Sequence, residues 1–229
     1  MKFHNRILKW IIFAALLIGA PYFAYKARYP DYTFRYRLEL TLEVDGRPHT
    51  GSSVIEVQWI GGPSISHQWA YAADGYVYGQ APLIDLGKRG VLIAALDTDW
   101  GNDAAVSARW LGAQAFGNDS SYDRLPELAR ERGRRDLKPD NWPRLMWLPD
   151  RLDPKSARKI GPDEIESIFG HGVRFTSAFV ETTGDSIKID IEKKLPWYPA
   201  WADEYRKAQL QLSYPGQVTL RPWMLVGGA

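Results

Sequence analysis

From Thr33 to Val44 the chain alternates without a break. Phe34, Tyr36, Leu38, Leu40, Leu42 and Val44 take the even positions, and Thr33, Arg35, Arg37, Glu39, Thr41 and Glu43 take the odd ones. A helix repeats its apolar positions every three or four residues, so a period of two kept over twelve residues predicts a β-strand with one dry and one wet face. Asp45-Gly46 is a turn signal, and GSSVIEVQWI after it again puts Ile55, Val57 and Trp59 on one face. Residues 33–60 therefore predict an antiparallel hairpin, with Phe34, Tyr36, Leu38, Leu40 and Leu42 toward the core. A one-residue slip would swap every side chain between faces, so the register is strongly specified.

The rest of the chain continues in hairpins rather than in strands alternating with helices. YVYGQAPLIDL and VLIAAL predict a second hairpin through Gly87-Lys88-Arg89-Gly90, its first strand at an edge or broken at Pro82. AAVSARWLGAQAF and LPELARERGRR predict one or two helices, with Pro126 in the first turn of the second. RLMWL reads as a short strand within a proline-rich loop. Pro162, Asp163 and Glu164 open a short helix that Gly170 stops. VRFTSAFVET and SIKIDIEKK predict two further strands around Thr183-Gly184-Asp185, and Asp203 to Gln211 predicts a helical turn or two. The expected fold is α+β: one domain, residues 29–229, with a mostly antiparallel sheet and a helical insert.

Ahead of that domain, Trp10 to Tyr25 is a run of sixteen residues without a charge, extended by Ile7 and Leu8 when Lys9 snorkels. Nineteen residues of helix span ~28 Å, against ~30 Å of bilayer hydrocarbon. Residues 1–28 therefore predict a membrane anchor, a single transmembrane helix over 7–25 that Pro21 at most kinks. Trp10 would sit at one interface and Tyr22, Tyr25 and Tyr29 at the other. The rival pattern is a cleaved secretory signal, but cleavage after Ala20 would leave Ile18 and Pro21 in unfavourable places. Lys2, Arg6 and Lys9 nearly balance Lys26, Arg28, Arg35 and Arg37, and the nine-residue leader favours N-inside insertion. The expected location is an inner membrane crossed once, with the soluble domain periplasmic.

The formal charge of +2 is misleading, because five basic residues and no acid precede residue 29. The remainder holds 24 basic and 27 acidic residues, a net of −3, which excludes the domain-wide basic excess that nucleic acid demands. The chain has no cysteine, hence no disulfide and no thiolate ligand.

No segment carries a specific catalytic, metal or cofactor signature, and no cofactor is expected. Asp97, Asp99 and Asp103 in DTDWGND resemble an oxygen-rich calcium loop, but Gly101 and Asn102 are swapped relative to the EF-hand order and Ala108 occupies the twelfth position. A polar turn after a buried strand is the simpler reading. Asp150 and Asp153 could work as paired carboxylates with His171, yet aspartate before Pro154 is also an ordinary turn former. His67 and His171 would need carboxylates to complete any metal site. Ser52 and Ser53 follow Gly51 without the G-x-S-x-G of a nucleophile elbow. RERGRR at 130–135 suits a helix C-terminus, or a contact with anionic lipid or a partner. Only residues 26–32 join Tyr25 to Thr33, a reach of at most ~25 Å, so the domain must sit close to the bilayer. LPWYPAW at 195–201 holds Trp197, Tyr198 and Trp201 between prolines; these rings either rest on the membrane or a membrane partner, or close one end of the core.

YRLELTLEVDGRPHTGSSVIEVQW, IDLGKRGVLIAAL, LDPKSA, IFGHGVRF and IEKKLPW, in that order, resemble a family of small proteobacterial proteins that carry an N-terminal hydrophobic segment and have no assigned activity. GSSVIEV and FGHGV are the more specific blocks, and the whole covers most of residues 33–198. The resemblance implies a shared fold and an envelope or membrane location. That family carries Glu where this chain has Gln80, and a less aromatic segment where it has Met146-Trp147, which excludes a catalytic carboxylate at position 80 here. The expected function is a membrane-tethered interaction or accessory protein of the cell envelope, with the membrane and an envelope protein as partners. The alternatives are a hydrolase using Asp150 or Asp153 with His171, and a divalent-cation or ligand-binding module around Asp97 and Asp99.

Overall fold

The computed structural model describes residues 10, 17, 19–62, 74–97, 107–210 and 220–228. Helix α1 covers residues 19–28, and Trp10 and Leu17 are helical as well. The hairpin follows as β1 (Tyr32–Val44) and β2 (Arg47–Ile60), paired antiparallel with Tyr36 opposite Ile55 and Phe34 opposite Val57. The predicted register is the observed one. Asp45 and Gly46 both take positive φ, 50° and 79°, as a two-residue hairpin turn requires. Phe34, Tyr36, Leu38, Leu40 and Leu42 are all at most 3% exposed, while the odd positions of β1 from 33 to 43 are half-buried or exposed.

The fold is α+β with two antiparallel sheets rather than one. β3 (Asp74–Gln80) joins β2, whereas β4 (Leu83–Asp85) pairs with β5 (Val91–Ala94), Leu83 opposite Ile93. Pro82 separates β3 from β4 because it has no N–H for a ladder. The predicted strand is therefore broken there, and its halves enter different sheets. Helices α2 (Ala108–Ala115) and α3 (Leu125–Leu128) follow, then β6 (Arg134–Asp136), β7 (Leu145–Leu148) and β8 (Arg158–Ile160). Next come α4 (Ile165–Phe169), β9 (Val173–Thr182), α5 (Ile191–Lys194), α6 (Tyr198–Leu210), α7 (Pro222–Leu225) and β10 (Val226–Gly227). The strand orders are β10-β3-β2-β1-β9-β6 and β4-β5-β7-β8. One continuous apolar cluster fills the molecule, from Leu38, Ile55 and Val180 on the first sheet to Ile93, Met146 and Leu148 on the second, joined by Leu111 and Leu125. Tyr36 is fully buried in it, and its hydroxyl donates to the Ala108 carbonyl at 2.6 Å.

Three expectations need correction. SIKIDIEKK is not a strand: residues 183–190 cross the polar face of the six-stranded sheet without regular structure, and Ile191–Lys194 is helical. β9 already pairs with β1 on one side and β6 on the other, so no neighbouring edge is open to it. LPELARERGRR forms only the short α3, because Gly133 turns at φ 95° and Arg134–Asp136 is drawn into pairing with β9. The last helix starts at Tyr198 rather than Asp203, with Pro199 tolerated in its first turn. The helix predicted from Pro162 opens as a 3-10 turn over Pro162–Glu164 and continues as α-helix over Ile165–Phe169, ended by Gly170 at φ 96° as expected. Of the predicted anchor, residues 7–9, 11–16 and 18 lie outside the described residues. Among the described residues no helix is long and apolar enough to cross a membrane; α1 over 19–28 amounts to ~15 Å.

Candidate functional site

Two features of the six-stranded sheet bring polar side chains together. The first is on its wet face. Arg35 donates from Nε and Nη2 to Glu56 Oε2 at 2.8 and 2.5 Å, and Gln58 adds a 2.7 Å bond to the same carboxylate. Arg35 Nη1 also reaches the Asp185 carbonyl at 3.2 Å, and Arg37 pairs with Glu181 at 3.1 Å and with the Asp185 carboxylate. These arginines hold residues 183–190 as a strap over the sheet. At its far end Gln80, 4% exposed, grips Asp190 twice: Nε2 donates to Oδ1 at 2.6 Å, and Oε1 accepts from the Asp190 N–H at 2.7 Å. Beneath the strap lies a groove of about 550 Å³ whose lining includes Arg37, Ser52, Gln80, Ser186, Lys188 and Lys194. It opens where the chain leaves β3 for the second sheet, a place fixed by Pro82.

The Asp190 carboxyl is held below the ordinary carboxylate range, foremost by the Gln80 amide and further by Lys194 and Lys193. A depressed folded pKa contributes stability that is complete above the unfolded value and lost as pH falls through the folded one. The strap is therefore expected to keep its amide-exchange protection, relative to intrinsic rates, from about pH 7 to 5 and to lose it only below ~3.9. Gln80→Leu should loosen it already at neutral pH. Loosening of the wild type between about pH 6 and 5 would show that another group holds the strap.

The second feature is the junction between α1 and the sheet. Lys26 bonds both oxygens of Asp31 at 2.7 and 2.9 Å, which keeps that carboxyl low, and Asp31 Oδ1 also accepts from the Gly61 N–H at 3.0 Å. The Tyr122 hydroxyl donates to the Pro30 carbonyl at 2.8 Å. Any Cβ on Gly61 would lie within 2.6 Å of the Tyr29 and Pro30 carbonyls, so only glycine permits the approach. The segment after α1 is thus bolted to the sheet rather than left as a loose linker.

The predicted catalytic residues serve turns. Asp150 Oδ1 accepts from the Leu152 N–H and Asp153 Oδ1 from the Lys155 N–H, each at 2.9 Å. His171 is fully exposed, 3.2 Å from Glu166. No hydrogen bond or ion pair joins either aspartate to His171 among the described residues. Asp97 lies at the end of the β5 segment, while Asp99, Asp103 and His67 fall outside the described residues. Among the described residues, no group of three or more metal-ligating side chains forms.

The LPWYPAW rings close one end of the core. Tyr198 is buried, which raises its hydroxyl pKa, and Trp197 and Trp201 are partly buried against the core. Trp197 Nε1 donates to the Arg151 carbonyl at 2.8 Å, and its ring meets Trp201 edge-on at 5.3 Å. Trp10, Tyr22 and Tyr25, by contrast, are 70, 59 and 41% exposed. In the 130–135 run, Arg134 stacks on Phe179 at 3.5 Å and Arg135 on Phe116 at 4.7 Å.

Sequence reasoning gave no such role to Gln80, Asp185, Asp190, Gly61 or Tyr122, whose partners lie 30 to 150 residues away. The one available signal was Arg35 and Arg37 side by side on the wet face of β1. Compared with known proteins, the chain matches no family model, no curated sequence and no solved structure.

Proposed function

We propose that this chain is a membrane-tethered accessory protein of the cell envelope, held by a single helix over residues 7–25 with its α+β domain on the periplasmic side. The groove under the strap is the surface assigned to its interaction. The observation that carries the tether is the exposure of α1 and of Trp10 and Leu17 ahead of it. Trp10, Leu17, Tyr22, Phe23 and Tyr25 are 41 to 71% exposed, and they make up half of the large exposed apolar side chains among the described residues. So much exposed apolar surface on one segment calls for a cover, and an uncharged run of sixteen residues suits lipid. The periplasmic side rests on the short N-terminal leader. The bolted junction supports a domain held in a set orientation at the membrane.

The test is fractionation of the full chain after expression. It should stay with membranes through an alkaline carbonate wash and leave them only with detergent. Release by carbonate alone would refute the tether.

A further inference from the structure

The end of the six-stranded sheet nearest α1 carries a second cavity, of about 320 Å³, lined among others by Thr33, Arg35, Arg132, Thr182 and Thr183. Its two guanidinium groups differ. Arg35 is already neutralised by Glu56. Arg132 is exposed, and its Nη1 donates only to the Ala129 and Glu131 carbonyls, at 3.0 and 2.6 Å. Carbonyl oxygens cancel no net charge, and among the described residues Nε and Nη2 have no acceptor. The carboxylates nearest to it or to the cavity wall in sequence are engaged elsewhere: Glu131 with Arg135, Glu127 with Arg124, and Asp185 with Arg37. Arg130 is also exposed and makes no ion pair among the described residues, and Arg28 lies over the Tyr29 ring at 5.7 Å. On the same wall Thr183 accepts from the Asp185 N–H, which leaves its own O–H to donate.

Position decides what such a cavity meets. The Tyr25 hydroxyl lies against Gly62, and Tyr122 fixes Pro30, so the sheet abuts the last turn of α1. From Arg28 to Thr33 the chain can extend at most ~17 Å. With the α1 aromatics at the lipid interface, Thr33 on the cavity wall stands within that reach of the headgroups.

We infer that this cavity seats the phosphate of an anionic phospholipid, with Arg132 as its guanidinium fork and the Thr183 hydroxyl as a second donor. The inference rests on the membrane-tether reading. A planar guanidinium with two unused donor groups matches phosphate oxygens, and the exposed Arg130 directly follows Ala129 of the cavity wall. The domain is thereby docked as well as tethered.

The experiment uses the full chain in nanodiscs of phosphatidylcholine alone or mixed with phosphatidylglycerol. Amide exchange at residues 130–133 and 182–184 should slow about fivefold with the anionic lipid, the worth of one basic side chain at such a surface. Raised salt should weaken the effect, and Arg132→Gln should abolish it. Arg132→Lys should keep part of it, and unchanged exchange in the β1–β2 hairpin would show that both variants fold. Equal exchange in the two nanodiscs would overturn the inference while leaving the tether intact. Failure of the chain to enter nanodiscs at all would remove the tether, and the inference with it. Equal protection by millimolar inorganic phosphate in phosphatidylcholine discs would show a soluble-anion site and overturn the lipid assignment.

Discussion

Leu40→Ala is expected to destabilise the domain by ~2–5 kcal/mol, whereas Glu39→Ala beside it should be close to neutral. Leu40 is 2% exposed at the centre of the inward row of β1. Its cross-strand partners are Gly51 on β2 and Ala178 on β9. Neither has a side chain that could swing into the space, so the cavity would persist, which is the condition that makes such truncations costly. Glu39 points to the wet face, is half-buried, and has no ion pair among the described residues. A domain of this size loses about 2–4 °C of melting temperature per kcal/mol, so thermal melts of the two variants should separate clearly. Coincident melts would mean that the alternation does not define the core.

Leu17→Arg is expected to release the chain from membranes without changing how the domain melts. Leu17 lies one residue from the middle of the 7–25 segment and is 61% exposed, so it does not pack into the folded domain. An arginine at the centre of a spanning helix costs ~2.5–3.5 kcal/mol of insertion, about a hundredfold in the equilibrium. The carbonate-resistant fraction should fall accordingly, with an unchanged melting curve for residues 29–229 in the same chain. Retention equal to wild type would count against the helix as a span. A lowered melting temperature would instead make Leu17 part of the fold.

The two variants divide what was legible from what was not. The strands β1 and β2, their register, the Asp45-Gly46 turn and the inward row were readable because side-chain period and turn chemistry are local, set by neighbours within a few residues. The helical segment from Pro162 to Phe169 and the break at Pro82 were readable for the same reason: one has a proline start and a glycine stop, and the other lacks an amide hydrogen.

What the sequence could not settle depended on partners far along the chain. Ile187, Ile189 and Ile191 alternate as a strand would, yet the sheet already has a neighbour on each side of β9, and Arg35, Arg37 and Gln80 capture the segment as a strap. Asp150 and Asp153 look like a catalytic pair in one dimension, but each carboxylate is used by an amide two residues ahead. Trp197 and Trp201 read equally well as membrane or core residues until Arg151 and the rest of α6 are placed around them. By itself the sequence determined the central hairpin, the α+β class and the uncharged N-terminal run, each through periodicity or composition over a short window. The tertiary structure alone decided the division into two sheets, the strap and its groove, and the bolted junction after α1. Each of these depends on which edges and charges remain after all the others have found partners.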